Sequence, residues 1–183
     1  MLQFRIQSTP NPLARKYLLS QDLKKSGKVS YQDQNACDHV PLARELLSLS
    51  GVRQIHFFEN ILTITQDGTL EWTSLDQEVQ HIVMQKIDEH DIDFIDFLES
   101  EKPRAVPLSP ELKKIDSILE STIRPSLQMD GGDLELLDLE GNILTIKYMG
   151  ACGGCPSSMT GTLAAIRSIL EDQYRSDIEV VAI

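Results

Sequence analysis

Two of the three cysteines, Cys152 and Cys155, stand in Tyr148-Met-Gly-Ala-Cys-Gly-Gly-Cys-Pro-Ser-Ser-Met159, a spacing that lets two sulfurs serve one ligand. The stretch falls between a strand-like and a helix-like segment. Cys155 therefore reads as a helix N-cap, Pro156 suits the first helical position, and the unpaired N–H groups of the first turn point at the sulfurs. Backbone donors and the positive helix end favour thiolate over thiol. Gly150, Gly153 and Gly154 leave room for a bulky ligand, so both thiolates are expected to face outward.

Two thiolates complete neither a tetrahedral zinc site nor an iron–sulfur cluster, each of which normally takes four protein ligands. The simplest completion is a second copy of the chain, which gives four thiolates across a twofold axis with the cluster as the bridge. Such a site is open and easily dismantled, as a carrier requires. The same spacing also serves a thiol–disulfide oxidoreductase with Cys152 as nucleophile, or a zinc-bridged dimer. Cys37 is expected to be an ordinary thiol, and Cys37-x-His39 is a weak metal signal. His39, His56, His81 and His90 are scattered. No Ser/His/Asp set, phosphate loop or carboxylate pair stands out, so no enzyme activity is expected.

Around this loop the periodicity outlines two halves. Residues 3–8 and 16–20 read as strands separated by Thr9-Pro10-Asn11-Pro12. A helix over 41–50 starts with Pro41, carries Leu42, Leu46 and Leu49 on one face and stops at Gly51. Val52, Ile55 and Phe57, then Ile61, Thr63 and Thr65, form a hairpin about Glu59-Asn60. Leu75, Val79, Ile82, Val83 and Ile87 make a helical stripe capped by Ser74 or Asp76. Trp72 and the Leu/Ile stripes are expected in the core. Ile92 to Leu98 suits a short helix inside a linker rich in acids and prolines.

The second half opens with Ser109 as N-cap and Pro110 at the first helical position, followed by Leu112, Ile115, Ile118, Leu119 and Ile123. Gly131-Gly132 ends that helix. A hairpin about Glu140-Gly141-Asn142, the cysteine loop, a helix with Met159, Leu163, Ile166 and Leu170, and a strand over 178–183 complete it. The fold class is α+β with two small domains: an N-terminal mixed α/β sheet domain over 1–91, a linker over 92–108, and a helix–hairpin–helix–strand domain over 109–183. That order lacks the βαβ unit preceding the sheet that a thioredoxin fold needs. Asn60-Ile-Leu-Thr-Ile64 recurs as Asn142-Ile-Leu-Thr-Ile146, which reads as a shared local solution to a turn rather than a duplication.

Composition bounds the partners. A formal charge of -11 over 183 residues opposes binding to nucleic acid or anionic lipid, and no apolar run spans a bilayer. Residues 1–8 alternate like a strand and lack the marks of a signal or transit peptide, so a cytoplasmic protein is expected.

Arg124-Pro-Ser-Leu-Gln-Met-Asp-Gly-Gly-Asp133, followed by Gly150-Ala-Cys-Gly-Gly-Cys-Pro-Ser-Ser158, closely resembles the C-terminal domain of the NifU-like (Nfu) iron–sulfur proteins. Gln7-Ser-Thr-Pro-Asn-Pro12, Pro41-Leu-Ala43 and Gly51-Val52 are similar to the N-terminal domain that many of them carry. The resemblance implies a [4Fe–4S] cluster shared between two chains, with Cys152 and Cys155 as ligands. It implies upstream cluster assembly proteins as donors, apo iron–sulfur proteins as recipients, and a homodimer when loaded. Asp130-Gly131-Gly132 matches a turn of the family motif, expected to aim the following hairpin at the cysteine loop. The scaffold domain resembling IscU and the cysteine-rich central domain of full-length NifU are missing, which favours a downstream carrier. The N-terminal domain is expected to select partners.

Overall fold

The computed structural model describes residues 2–95, 109–153 and 161–183. The chain divides into two compact units, Met1–Arg104 and Ala105–Ile183, each with its own apolar core.

In the first unit, strands β1 (Phe4–Ser8), β2 (Ala14–Leu19), β3 (Lys28–Tyr31), β4 (Val52–Phe58) and β5 (Ile61–Gln66) form an antiparallel sheet in the order β1-β2-β5-β4-β3. Cross-strand pairing lines up Ile6, Tyr17, Leu62, Phe57 and Val29 as one row, and Gln7, Lys16, Thr63, His56 and Ser30 as the next. Because neighbouring rows point to opposite faces, the first row feeds the core and the second makes a polar face. Helices α1 (Pro41–Ser48) and α2 (Trp72–Lys86) pack against each other, and their Leu42, Leu46, Leu75, Val79 and Val83 complete the core. The four-residue β3 is too short to establish a period, so the sequence pattern does not mark it.

Two local expectations are corrected here. Helix α2 begins at Trp72, ahead of Ser74 and Asp76, with Glu71 at its N-cap position. Asp76 is engaged elsewhere: it accepts from the Tyr17 hydroxyl at 2.7 Å and pairs with Arg15. The Arg15 guanidinium lies 4.6 Å over the Trp72 ring, whose indole N–H donates to the Pro12 carbonyl at 3.1 Å. Trp72 is thus half-buried at the edge of the core, holding the proline loop against α2. Within the expected Ile92–Leu98 helix, residues 92–95 instead make a turn and an extended stretch; Leu98 lies outside the described residues. Phe94 leaves the helical path because its ring is buried beside Phe57, His90 and His39.

The second unit runs α3 (Pro110–Thr122), α4 (Arg124–Met129), β6 (Gly132–Glu140), β7 (Ile143–Gly150), α5 (Leu163–Gln173) and β8 (Glu179–Ala182). Ser109 caps α3 by accepting from the Leu112 N–H at 3.1 Å. The chain bends at Ile123 because Pro125 has no N–H to continue the ladder. Strands β6 and β7 are antiparallel, with a bulge at Leu137, and β8 adds parallel to β7. Leu112, Ile115 and Leu119 of α3 and Ile166 and Leu170 of α5 join Leu134, Leu136, Leu144 and Ile146 in the core.

The repeated pentapeptide has a physical reason. In both units its Asn grips the neighbouring strand twice. The Asn60 carbonyl accepts from the Leu19 N–H at 2.9 Å while its amide donates to the Leu19 carbonyl at 2.8 Å. The Asn142 carbonyl accepts from the Glu179 N–H at 2.8 Å while its amide donates to the Asp177 carbonyl at 2.8 Å. The gripped strand is antiparallel to β5 in one unit and parallel to β7 in the other, so the likeness is local.

Candidate functional site

The β6–β7 hairpin carries the site at its open end, where Gly132 pairs with Gly150, Asp133 with Met149 and Leu134 with Tyr148. Gly131 sits at φ 78°, a conformation that suits glycine, and reverses the chain after α4. Beyond β7 the chain closes into tight turns. Ala151 N–H donates to the Gly131 carbonyl at 3.0 Å, Cys152 N–H to Met149 at 3.3 Å and Gly153 N–H to Gly150 at 3.1 Å.

These turns lay Cys152 directly over Gly132. A Cβ at position 132 would lie 2.2 Å from the Cys152 Sγ and 2.8 Å from its backbone nitrogen, so only glycine leaves room for this cysteine. Cys152 is 5% exposed. The expectation that both thiolates face outward is therefore corrected at Cys152, whose sulfur is turned inward because the bare backbone of Gly132 offers it a hollow. Cys155, with the expected helix start at Pro156 and with Met159, lies outside the described residues; the described helix begins at Leu163.

A buried ionic group braces the Gly131-Gly132 turn. Arg124, 9% exposed, pairs with Asp116 at 2.6 Å and Glu120 at 3.3 Å, and its Nε lies 3.9 Å from Asp133. Asp133, fully buried, also accepts from the Gln128 amide at 3.1 Å and from the Leu134 N–H at 2.7 Å. The side chains flanking the two glycines thus tie α3 and α4 to the start of β6. Arg124 and Asp133 are visible in the sequence as parts of a motif, but their pairing is not, because it depends on how α3 and α4 fold back.

For Tyr148 the sequence pattern indicates only the end of a strand. The side chain is 9% exposed, and its hydroxyl has no hydrogen-bond partner among the described residues. Burial, and secondarily the charge of Cys152, push its pKa up to about 12, so the phenol stays protonated.

Cys37 belongs to the other unit and is fully buried. Its thiol donates to the carbonyls of Gln34 and Asp33 at 3.4 and 3.6 Å, and burial, then Asp38 and Asp33, push it up to about 11. His39 instead meets the Tyr31 hydroxyl at 3.4 Å and the Phe94 ring. Among the described residues no three His, Cys, Asp or Glu side chains gather as metal ligands, and no helix is long and apolar enough to cross a membrane.

Residues 115–181 match the family described as NifU-like domain, and residues 4–90 match the one described as Scaffold protein Nfu/NifU N terminal. NifU-like protein 5, mitochondrial, of Arabidopsis thaliana is 29% identical over 188 residues, covering 96% of this chain and 65% of that protein. NifU-like protein 4, mitochondrial, of the same plant is 30% identical, covering 96% and 63%. The human NFU1 iron-sulfur cluster scaffold homolog, mitochondrial, is 27% identical, covering 90% and 65%. The chain spans just under two thirds of the length of these relatives.

Their mitochondrial names overturn the cytoplasmic expectation. That expectation rested on residues 1–8, most of which form β1 of a folded sheet.

Proposed function

The chain belongs to the NifU-like Nfu family, and we propose that it is a non-catalytic iron–sulfur cluster scaffold and carrier. In this reading it takes its cargo, a [4Fe–4S] cluster, between two copies through Cys152 and Cys155 of each. It receives the cluster from upstream assembly proteins and hands it to apo iron–sulfur proteins. Four thiolates from two chains complete the usual ligand count. The first unit, built as a packed domain with an inert Cys37, selects partners.

The observation that carries the reading is the hollow over Gly132, shaped to accept the Cys152 sulfur and braced by Arg124 and Asp133.

Anaerobic reconstitution with iron and sulfide tests the proposal. A brown dimer with one [4Fe–4S] cluster per two chains, lost in Cys152→Ser and in Cys155→Ser, is expected. A colourless monomer that reduces disulfides would replace the carrier with a redox protein.

A further inference from the structure

Holding a cluster through cysteines does not account for one buried polar group at this end of the sheet, the hydroxyl of Tyr148. Tyr148 pairs with Leu134 and Gly150 with Gly132, two residues apart along each strand, so the tyrosine and the hollow that holds Cys152 lie on one face of the hairpin. Both residues belong to the same packed core. Phenylalanine would fill that core equally well without burying a hydroxyl that has no partner among the described residues. The neighbouring group explains the tyrosine. A neutral thiol is a weak hydrogen-bond acceptor, whereas a thiolate bound to iron is a strong one. The acceptor that Tyr148 lacks among the described residues is created when the Cys152 thiol loses its proton to solvent as its sulfur takes iron.

We propose that the Tyr148 hydroxyl donates a hydrogen bond to the Cys152 sulfur in the loaded protein, making Tyr148 a positioning residue that sets how firmly the cargo is held. The proposal rests on the carrier reading above. An O–H···S bond withdraws electron density from the sulfur, which raises the reduction potential of the cluster and slows its release.

The test compares the full chain with its Tyr148→Phe and Cys152→Ser variants, reconstituted with iron and sulfide. Tyr148→Phe is expected to take up the same iron and sulfide as the parent and, without cluster, to melt at the same or a higher temperature. It should surrender iron to a chelator about fivefold faster, the effect of losing one ordinary hydrogen bond. Its reduction potential should be more negative. The Fe–S(Cys) Raman bands of the parent should shift in D2O, and those of the variant should not. Equal release rates and potentials would overturn the proposal. So would a cluster-free Tyr148→Phe that is less stable than the parent, because the hydroxyl would then have a structural partner. A parent chain that fails to load, like Cys152→Ser, would sink the carrier reading and this proposal with it.

Discussion

Gly132 and Cys152 lie so close that a Cβ on the glycine would stand 2.2 Å from the sulfur. The Gly132 backbone is not in the left-handed region, so the restriction is purely one of space. Gly132→Ala is expected to cost about 1–3 kcal/mol, the range for overpacking a filled site, and to lower cluster occupancy. Denaturant unfolding and iron and sulfide per chain measure the two effects. Adding Cys152→Ala should recover only part of the stability, because the backbone nitrogen at 2.8 Å remains in the way.

Cys37 is expected to be silent. Its pKa is pushed up to about 11, mainly by burial, and its thiol donates to two carbonyls. The folded protein therefore keeps it protonated at about pH 8, where the reactive thiolate is scarce. Mass spectrometry after brief alkylation should find Cys37 unmodified until the protein is unfolded. Cys37→Ser should load cluster as the parent does, and a loss of loading would make Cys37 part of the site.

How much of this was legible in the sequence depends on the range of the interaction. Pro41, Ser109-Pro110 and Glu59-Asn60 act on their immediate neighbours, and α1, the α3 start and the β4–β5 turn stand where those residues put them. Asp76 has the look of a cap and is instead a partner of Tyr17 and Arg15, because a contact across about 60 residues leaves no local trace. The same limit hid the site's architecture. Gly132 could be read as a turn residue, yet its use is set by Cys152 twenty positions later, through a hairpin register that only folding fixes.

His90 ties the end of the first unit to its sheet. Its Nε2 lies 2.7 Å from the Leu23 carbonyl, and its ring packs on Phe57 and Phe94. Burial, opposed by that carbonyl and Asp91 and aided by Lys24, lowers its pKa below 6.5. The unfolded chain therefore binds the extra proton first, so the contribution is fully present above pH 6.5 and is lost as pH falls through the lowered value. Melting temperatures from about pH 7.5 to about pH 5 should fall in the parent and fall less in His90→Gln. Equal slopes would remove His90 from the account.

Asn60 and Asn142 make the same double grip in two settings, so removing each side chain gives a matched pair of outcomes. Asn60 acts in a partly buried place, and Asn60→Ala should cost about 1 kcal/mol, the worth of one intramolecular hydrogen bond. Asn142 acts at the surface, where water can replace its bond to the Asp177 carbonyl, so the global cost of Asn142→Ala should be smaller. Its effect should be local instead. Strand β8 has four residues and pairs with β7 along one edge, and the Asn142 grip stands where it enters the sheet. Without the grip the strand should fray from Glu179, and amide exchange at residues paired in β8 should quicken while exchange in β6 stays unchanged. Unchanged exchange in β8 would mean that packing of Ile178 and Val180 on the core, rather than the asparagine, holds the strand in register.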